Sequence, residues 1–185
     1  VELGNMEYGL GNLAEAEKQF AEAVKLDDDL PQARAGHALV VYLQGRVEPA
    51  SAEIARLRKD YPDSPLGKSL QAMLDFDKRD YEAALKTAAE VLKEMPHHLP
   101  SLALYGRAAY KLGRFDEAIP ACDRAIRISP RESRTPVWNA LAGMNEFMRG
   151  RYAAAADRAR LATTANTKVP GYFLLLAAAL VLDGR

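Results

Sequence analysis

The 185-residue sequence lacks the features that define several protein classes. Its single cysteine cannot form an internal disulfide, so a disulfide-stabilised scaffold is excluded. The 25 basic and 25 acidic side chains give a net charge of zero, which leaves no basic surplus for the phosphates of a nucleic acid. No apolar run reaches the roughly 18 residues of a membrane helix, and the longest, at 172–182, is interpreted as a buried helix. We therefore predict neither nucleic-acid binding nor direct membrane insertion by this segment.

The sequence does contain a repeat. Six marker positions recur at intervals of 34, 34, 34, 37 and 34 residues, and they are Gly11, Gly45, Arg79, Gly113, Gly150 and Gly184. A bulky side chain follows each of the first five markers by two residues, and alanine follows by five. A glycine or alanine precedes every marker by seven residues. This alignment predicts that one structural unit is repeated along the chain.

Each unit is predicted to be an antiparallel pair of helices. Apolar residues before the marker fall at helical spacing, as do Leu102, Tyr105 and Ala109. The marker glycine suits the left-handed residue that ends a helix, and proline at 62, 96 and 130 suits the end of the second helix. Small residues on both sides of the marker allow the two helices to approach closely. The fold class is therefore all-α.

These residues resemble the tetratricopeptide repeat, whose 34-residue helix–turn–helix unit has the same small, aromatic and proline positions. The best unit is 99–132, and the resemblance covers essentially the whole chain. It implies a right-handed superhelical solenoid of antiparallel helix pairs, with about five repeats and an extra C-terminal helix. We expect a single array over 1–185, a fragment of a longer solenoid, with units at 1–30, 31–64, 65–98, 99–135, 136–169 and, in part, 170–185.

Two units depart from this pattern. The repeat around Arg79 lacks the marker glycine, and Lys68 and Gln71 occupy positions that are usually apolar, so its first helix is expected to pack loosely. The 37-residue interval places three extra residues at 131–136. We interpret this segment as a longer turn in which Thr135 is the helix N-cap and Pro136 is the first helical residue.

The sequence offers little for catalysis or metal binding. His37 is interpreted as a core or edge histidine, His97 and His98 as residues of a solvated turn, and Cys122 as a core residue. No nucleophile–base motif, phosphate-binding glycine loop or pair of metal-ligand motifs is present. We predict no catalytic residue, no metal site and no cofactor.

The resemblance also implies a binding groove lined by first-helix residues six, three and two before each marker. Aromatic, methionine and cationic side chains at these positions suit a peptide or protein segment. The candidate groove residues are Tyr8, Leu39, Tyr42, Met73, Phe76, Arg107, Tyr110, Lys111, Met144 and Phe147. Two readings stay open, because the aromatic ladder is either a ligand site or part of the repeat framework. The clamp for chaperone C-termini is not expected, since Gly36 stands where its second asparagine belongs.

Two narrower resemblances bear on function. The stretch 3–118 is similar to PEP-CTERM-associated tetratricopeptide lipoproteins, through motifs such as Tyr61-Pro62-Asp63-Ser64-Pro65. It implies a non-catalytic scaffold of bacterial cell-envelope export or exopolysaccharide assembly. The stretch 119–185 resembles the helical tails of nucleotide cyclases and transcription regulators, which implies a regulatory segment and a cytoplasmic location.

Charge is distributed unevenly along the chain. Residues 1–30 hold 8 acidic and 2 basic side chains, whereas residues 99–185 hold 7 acidic and 13 basic ones. The basic end, with Arg107, Lys111, Arg131 and Arg134, is expected to attract an acidic protein segment or the acidic end of another copy. Apolar faces expected at the two ends of the array also predict end-to-end self-association.

Overall fold

The computed structural model describes residues 1–129 and 135–184, and these residues form helices joined by short turns. The helices are α1 (Glu2–Leu10), α2 (Leu13–Leu26), α3 (Pro31–Leu43), α4 (Val47–Asp60), α5 (Pro65–Asp77), α6 (Tyr81–Glu94), α7 (Leu99–Lys111), α8 (Phe115–Ile128), α9 (Thr135–Met148), α10 (Tyr152–Ala165) and α11 (Pro170–Asp183). All are α-helical, and the predicted fold class, an all-α array of tetratricopeptide-type helix pairs, is confirmed.

The chain divides into two compact units, Val1–Lys78 and Arg79–Arg185. In the first unit α2 packs against α1 and α3, and α3 packs against α1, α4 and α5. In the second unit α6, α7, α8, α9, α10 and α11 pack in chain order, and α9 also contacts α7 and α11. First helices therefore stack on first helices within each unit. The continuity of one array across residues 78–79 stays a prediction.

The predicted left-handed markers are present. The backbone φ angle is 81° at Gly11, 82° at Gly45, 74° at Gly113, 72° at Gly150 and 78° at Gly184. Arg79 adopts the same conformation, with φ at 65°, although it has a Cβ atom that this region disfavours. The second helix of each of the first five repeats begins two residues after its marker. The turn is therefore set by backbone conformation, and the fold retains it even where glycine is missing.

Small residues do bring the paired helices together. The alanines five residues after the marker are all fully buried: Ala16, Ala50, Ala84, Ala118 and Ala155. The ring of Phe20, 2% exposed, lies against two glycines. A Cβ atom on Gly4 would lie 2.8 Å from its Cε1 atom, and one on Gly36 would lie 2.5 Å from its Cζ atom. Phe20 of α2 therefore fills the space that glycine leaves on α1 and α3.

Three sequence expectations need correction. The helix of the Arg79 repeat does not pack loosely, because α5 buries Leu70, Leu74 and Phe76 among others and contacts both α3 and α4. Thr135 is the first residue of α9 rather than its N-cap, and its hydroxyl donates to the Ser129 carbonyl oxygen at 3.1 Å. The helix expected to be buried, α11, buries only Ala179.

The exposed side of α11 is strongly apolar. Exposed fractions there are 45% for Phe173, 70% for Leu174, 74% for Val181 and 53% for Leu182. The helix contacts only α9 and α10 among the described elements. Pro130, predicted to end the preceding helix, and Arg131 and Arg134, predicted to lie in the longer turn, are outside the described residues.

Candidate functional site

The predicted groove residues of the first unit are mostly part of its packing. Leu39, Tyr42 and Met73 are half-buried and pack against a core cluster that includes Ile54, Leu57 and Leu70. Phe76 is 9% exposed. The Tyr42 hydroxyl donates to the Asp77 carboxylate, which joins α3 to the end of α5. Tyr8 likewise packs against the cluster around Phe20. The packing of these residues favours the interpretation that the aromatic ladder is part of the repeat framework.

The two ladder residues of the second unit are each paired with a second ring. The Tyr110 ring lies 6.0 Å from the Phe115 ring, and the Phe147 ring lies 5.3 Å from the Tyr152 ring, measured between centroids. In both pairs one ring ends the first helix and the other begins the second helix of the same repeat. Such tilted pairs add stability beyond apolar burial. The two ring pairs therefore stabilise the turns at Gly113 and Gly150.

The second unit exposes its other groove positions. Arg107 and Lys111 are exposed one turn apart on α7. Met144, 36% exposed, and Met148, 54% exposed, occupy the equivalent positions on α9. Because α7 and α9 pack against each other, the two pairs belong to one surface. We name Arg107, Lys111, Met144 and Met148 the first-helix face.

His37 of α3 lies close to two carboxylates, one on α4 and one on α2. Nδ1 of His37 is 2.8 Å from both carboxylate oxygens of Glu53 on α4, and its Nε2 is 4.0 Å from the Glu17 carboxylate on α2. Arg46 binds the same Glu17 at 2.6 Å. The hydrogen bond to Glu53 raises the pKa of His37, against the opposing effect of its burial. This arrangement ties α2, α3 and α4 together and matches the edge position expected of His37.

The remaining candidates for chemistry have structural roles. Cys122 is fully buried, as expected, and burial raises its pKa to about 12, so the reactive thiolate is suppressed. His97 is exposed, but His98 is half-buried, which corrects the prediction that both lie in a solvated turn. Nδ1 of His98 lies 2.8 Å from the Ser101 hydroxyl, and burial lowers its pKa.

Within residues 1–129 and 135–184, no group of three or more histidine, cysteine, aspartate or glutamate side chains is arranged to hold a metal ion. Over the same residues, every helix is too short or too polar to cross a membrane.

Sequence reasoning missed a hollow on the second helices of the second unit. Its volume is about 490 Å³, and it lies between α6 and α8 over the side of α7. Its walls include Leu92, Leu102, Tyr105, Pro120, Ala121, Lys93, Arg124 and Arg127. A neighbouring hollow of about 480 Å³ shares Arg124 and Arg127 and is also lined by His97. The cations Arg124 and Arg127, one turn apart on α8, were the available signal, but the predicted groove concerned only first helices. We name the 490 Å³ space the second-helix hollow.

The fold and these surfaces define a helical-repeat protein. Tetratricopeptide-repeat family models match residues 8–74 and 69–133, which together span more than half of the sequence. The chain belongs to the tetratricopeptide-repeat family. Proteins of this family are generally non-catalytic scaffolds that bind protein or peptide partners.

Solved structures share the fold. A chain of the APC/C hetero-tetramer Cut9–Hcn1 superposes with a TM-score of 0.80 at 15% identity, over 98% of this chain and 36% of that one. A thermophilic tetratricopeptide-repeat protein of Thermus thermophilus gives 0.70 at 21% identity, over 98% and 97%. PilF of Pseudomonas aeruginosa gives 0.74 at 14% identity, over 99% and 82%. The chain thus spans about a third of the first of these structures and nearly all of the second.

No curated protein sequence matches the chain. The narrower resemblances, to PEP-CTERM-associated lipoproteins and to cyclase tails, receive no support from these comparisons.

Proposed function

We propose that this chain is a non-catalytic scaffold whose first-helix face binds a segment of a protein partner. The observation that supports this is the exposure of Arg107, Lys111, Met144 and Met148 on two helices that pack side by side. Exposed methionine is an adaptable apolar contact, and two cations one turn apart suit a carboxylate. The expected ligand therefore carries an apolar side chain next to an acidic one.

The ten residues expected from the sequence divide into two roles in this proposal. Arg107, Lys111 and Met144 contact the ligand directly, together with the exposed edge of Tyr110. The half-buried aromatics and the aliphatic residues of the first unit hold the repeat geometry, as their packing against core clusters suggests. Substitutions in the first group should therefore affect binding, and substitutions in the second group should affect stability.

A peptide selected from a random library by the wild-type chain provides the probe. We expect Arg107→Glu and Met144→Ser each to weaken its binding about tenfold or more, measured by isothermal titration calorimetry. The unfolding midpoint should change little for Arg107→Glu, because Arg107 is exposed, and modestly for Met144→Ser, because Met144 is 36% exposed. Leu161→Ser, another exposed apolar residue, on the second helix α10, is the matched control and should bind normally. Unchanged affinity in both groove variants would show that the ligand contacts another surface.

The cellular setting follows only from the sequence resemblances. The similarity of 3–118 to envelope lipoproteins supports a scaffold of export or exopolysaccharide assembly, in the cell envelope. The alternative, a regulatory segment of a signalling enzyme or transcription regulator, rests on the similarity of 119–185 to such tails. The complete gene sequence tests the two settings: a lipidation signal would favour the first, and an enzymatic or DNA-binding domain would favour the second.

A further inference from the structure

We propose that the second-helix hollow is a second ligand site, which binds an acidic segment of a partner protein through an apolar side chain and flanking carboxylates. This site is separate from the first-helix face. Leu102 and Tyr105 line it from α7, whereas Lys111 lies on the same helix about two and a half turns beyond Leu102 and so points the opposite way. The proposal therefore goes beyond the proposed function and does not depend on it.

The floor of the hollow suits an apolar side chain. Leu102 and Ala121 are almost fully buried beneath it, with exposed fractions of 1% and 7%, and Leu92 lies half-buried beside them. Pro120 stands exposed at the edge, inside α8. A volume of about 490 Å³ is within the range of sites that enclose a ligand group rather than a single water.

The rim of the hollow is cationic. Lys93, Arg124 and Arg127 surround it, and Glu117 is the one acidic residue among its lining residues. Both oxygens of Glu117 are engaged, one by the Tyr105 hydroxyl at 2.7 Å and the other by Arg114 at 3.2 Å. The Glu117 carboxylate is therefore already engaged by Tyr105 and Arg114.

The ion pairs near the rim, among the residues that the structure describes, are made by other arginines. Arg114 pairs with Glu82 and Glu117, and Arg158 pairs with Asp123 at 2.5 Å. No ion pair among the described residues involves Lys93, Arg124 or Arg127. Three cations around an apolar floor complement a segment that carries aspartate or glutamate on both sides of a leucine-like residue.

The test uses a short fluorescein-labelled peptide of alternating leucine and aspartate, titrated with the full chain and followed by fluorescence anisotropy. We expect saturable binding that weakens as salt rises, because the contact is partly ionic. Peptides with lysine in place of aspartate, or serine in place of leucine, should not bind. The double variant Arg124→Glu/Arg127→Glu should weaken binding about tenfold or more, and Arg124→Gln/Arg127→Gln should weaken it less.

Two charge-matched variants locate the site. Arg56→Glu changes an exposed arginine of α4 and should leave binding unchanged. Lys111→Glu removes a cation of the first-helix face, which suits the same peptide, so the titrations are repeated in the Lys111→Glu background. There Arg124→Glu/Arg127→Glu should still weaken binding about tenfold or more, so failure of this site and failure of the proposed function are separable. Circular dichroism verifies that each variant is folded.

Four results would overturn the proposal. They are no binding by the wild-type chain, normal binding by Arg124→Glu/Arg127→Glu, loss of binding in Arg56→Glu, and no effect of Arg124→Glu/Arg127→Glu in the Lys111→Glu background. A salt-sensitive dimer in light scattering that Arg124→Glu abolishes, without peptide binding, would assign the hollow to a second copy of this chain instead of a partner protein.

Discussion

The contact between Phe20 and Gly36 gives a sharp test of how closely the helices of the first unit pack. In Gly36→Ala the new methyl group would lie 2.5 Å from Cζ and 2.6 Å from Cδ1 of the ring. Carbon atoms in favourable contact are about 3.5–4.0 Å apart, so the overlap is about 1 Å. The ring cannot move away freely, because it also packs closely against Gly4 of α1. A Cβ atom built on Gly4 would lie only 2.8 Å from the Cε1 atom of the ring.

The cost of this overlap is the difference in the free energy of unfolding between two variants. Overpacking of a core in this way destabilises by about 1–3 kcal/mol, whereas replacing a helical glycine with alanine stabilises by about 0.5–1 kcal/mol. Gly9 is the matched control, since it is helical and a Cβ atom there meets nothing within 4 Å. Gly36→Ala should therefore be less stable than Gly9→Ala by about 1–3 kcal/mol.

Urea unfolding followed by circular dichroism at the helical minimum measures this difference. The double variant Phe20→Leu/Gly36→Ala should recover part of the loss, because the smaller side chain relieves the overlap, and the coupling can be obtained from a double-mutant cycle. Equal midpoints for Gly36→Ala and Gly9→Ala would refute the close packing of Phe20 between α1 and α3.

Three further predictions follow from single residues. Arg79→Gly should stabilise the chain by up to about 1 kcal/mol in urea, because glycine adopts the left-handed conformation without the Cβ penalty, and Gly113→Ala should do the reverse. His37 has a raised pKa when folded, so its contribution to stability is fully present below its ordinary value of 6.5 and is lost as pH rises through the raised value. Thermal unfolding of Glu53→Gln should show a weaker fall over that range, and an unchanged fall would assign it to another group. Cys122 should react with a thiol reagent at mildly alkaline pH only when the chain unfolds, and fast labelling of the native protein would contradict its burial.

The repeat was predictable because the same pattern of residues recurs along the sequence. Each marker, each small residue seven before it and each alanine five after it constrains the same turn and the same helix contact. A single departure such as Arg79 is therefore outweighed by the rest of the pattern. The loose packing expected from Lys68 and Gln71 was wrong because both side chains remain partly exposed while Leu70 and Leu74 of the same helix make the core contacts.

The candidate sites were less predictable, because they depend on contacts between repeats. Aromatic side chains at the groove positions were visible in the sequence, but the pairing of Tyr110 with Phe115 was not. The second-helix hollow combines Leu92 of one repeat with Arg124 of the next, and a pattern read one repeat at a time does not bring them together. Exposure, which decides between a ligand contact and framework, is a property of stacked helices.

The order in which the helices pack has a consequence for folding kinetics. Within each unit, every described helix packs against helices no more than two elements away along the chain. Contacts of such short range require little loop closure, so we expect fast folding that starts in one helix pair and spreads to its neighbours. Amide exchange should then be graded along each unit, slowest where a first helix has partners on both sides, as α3 and α9 do, and fastest at α1 and α11.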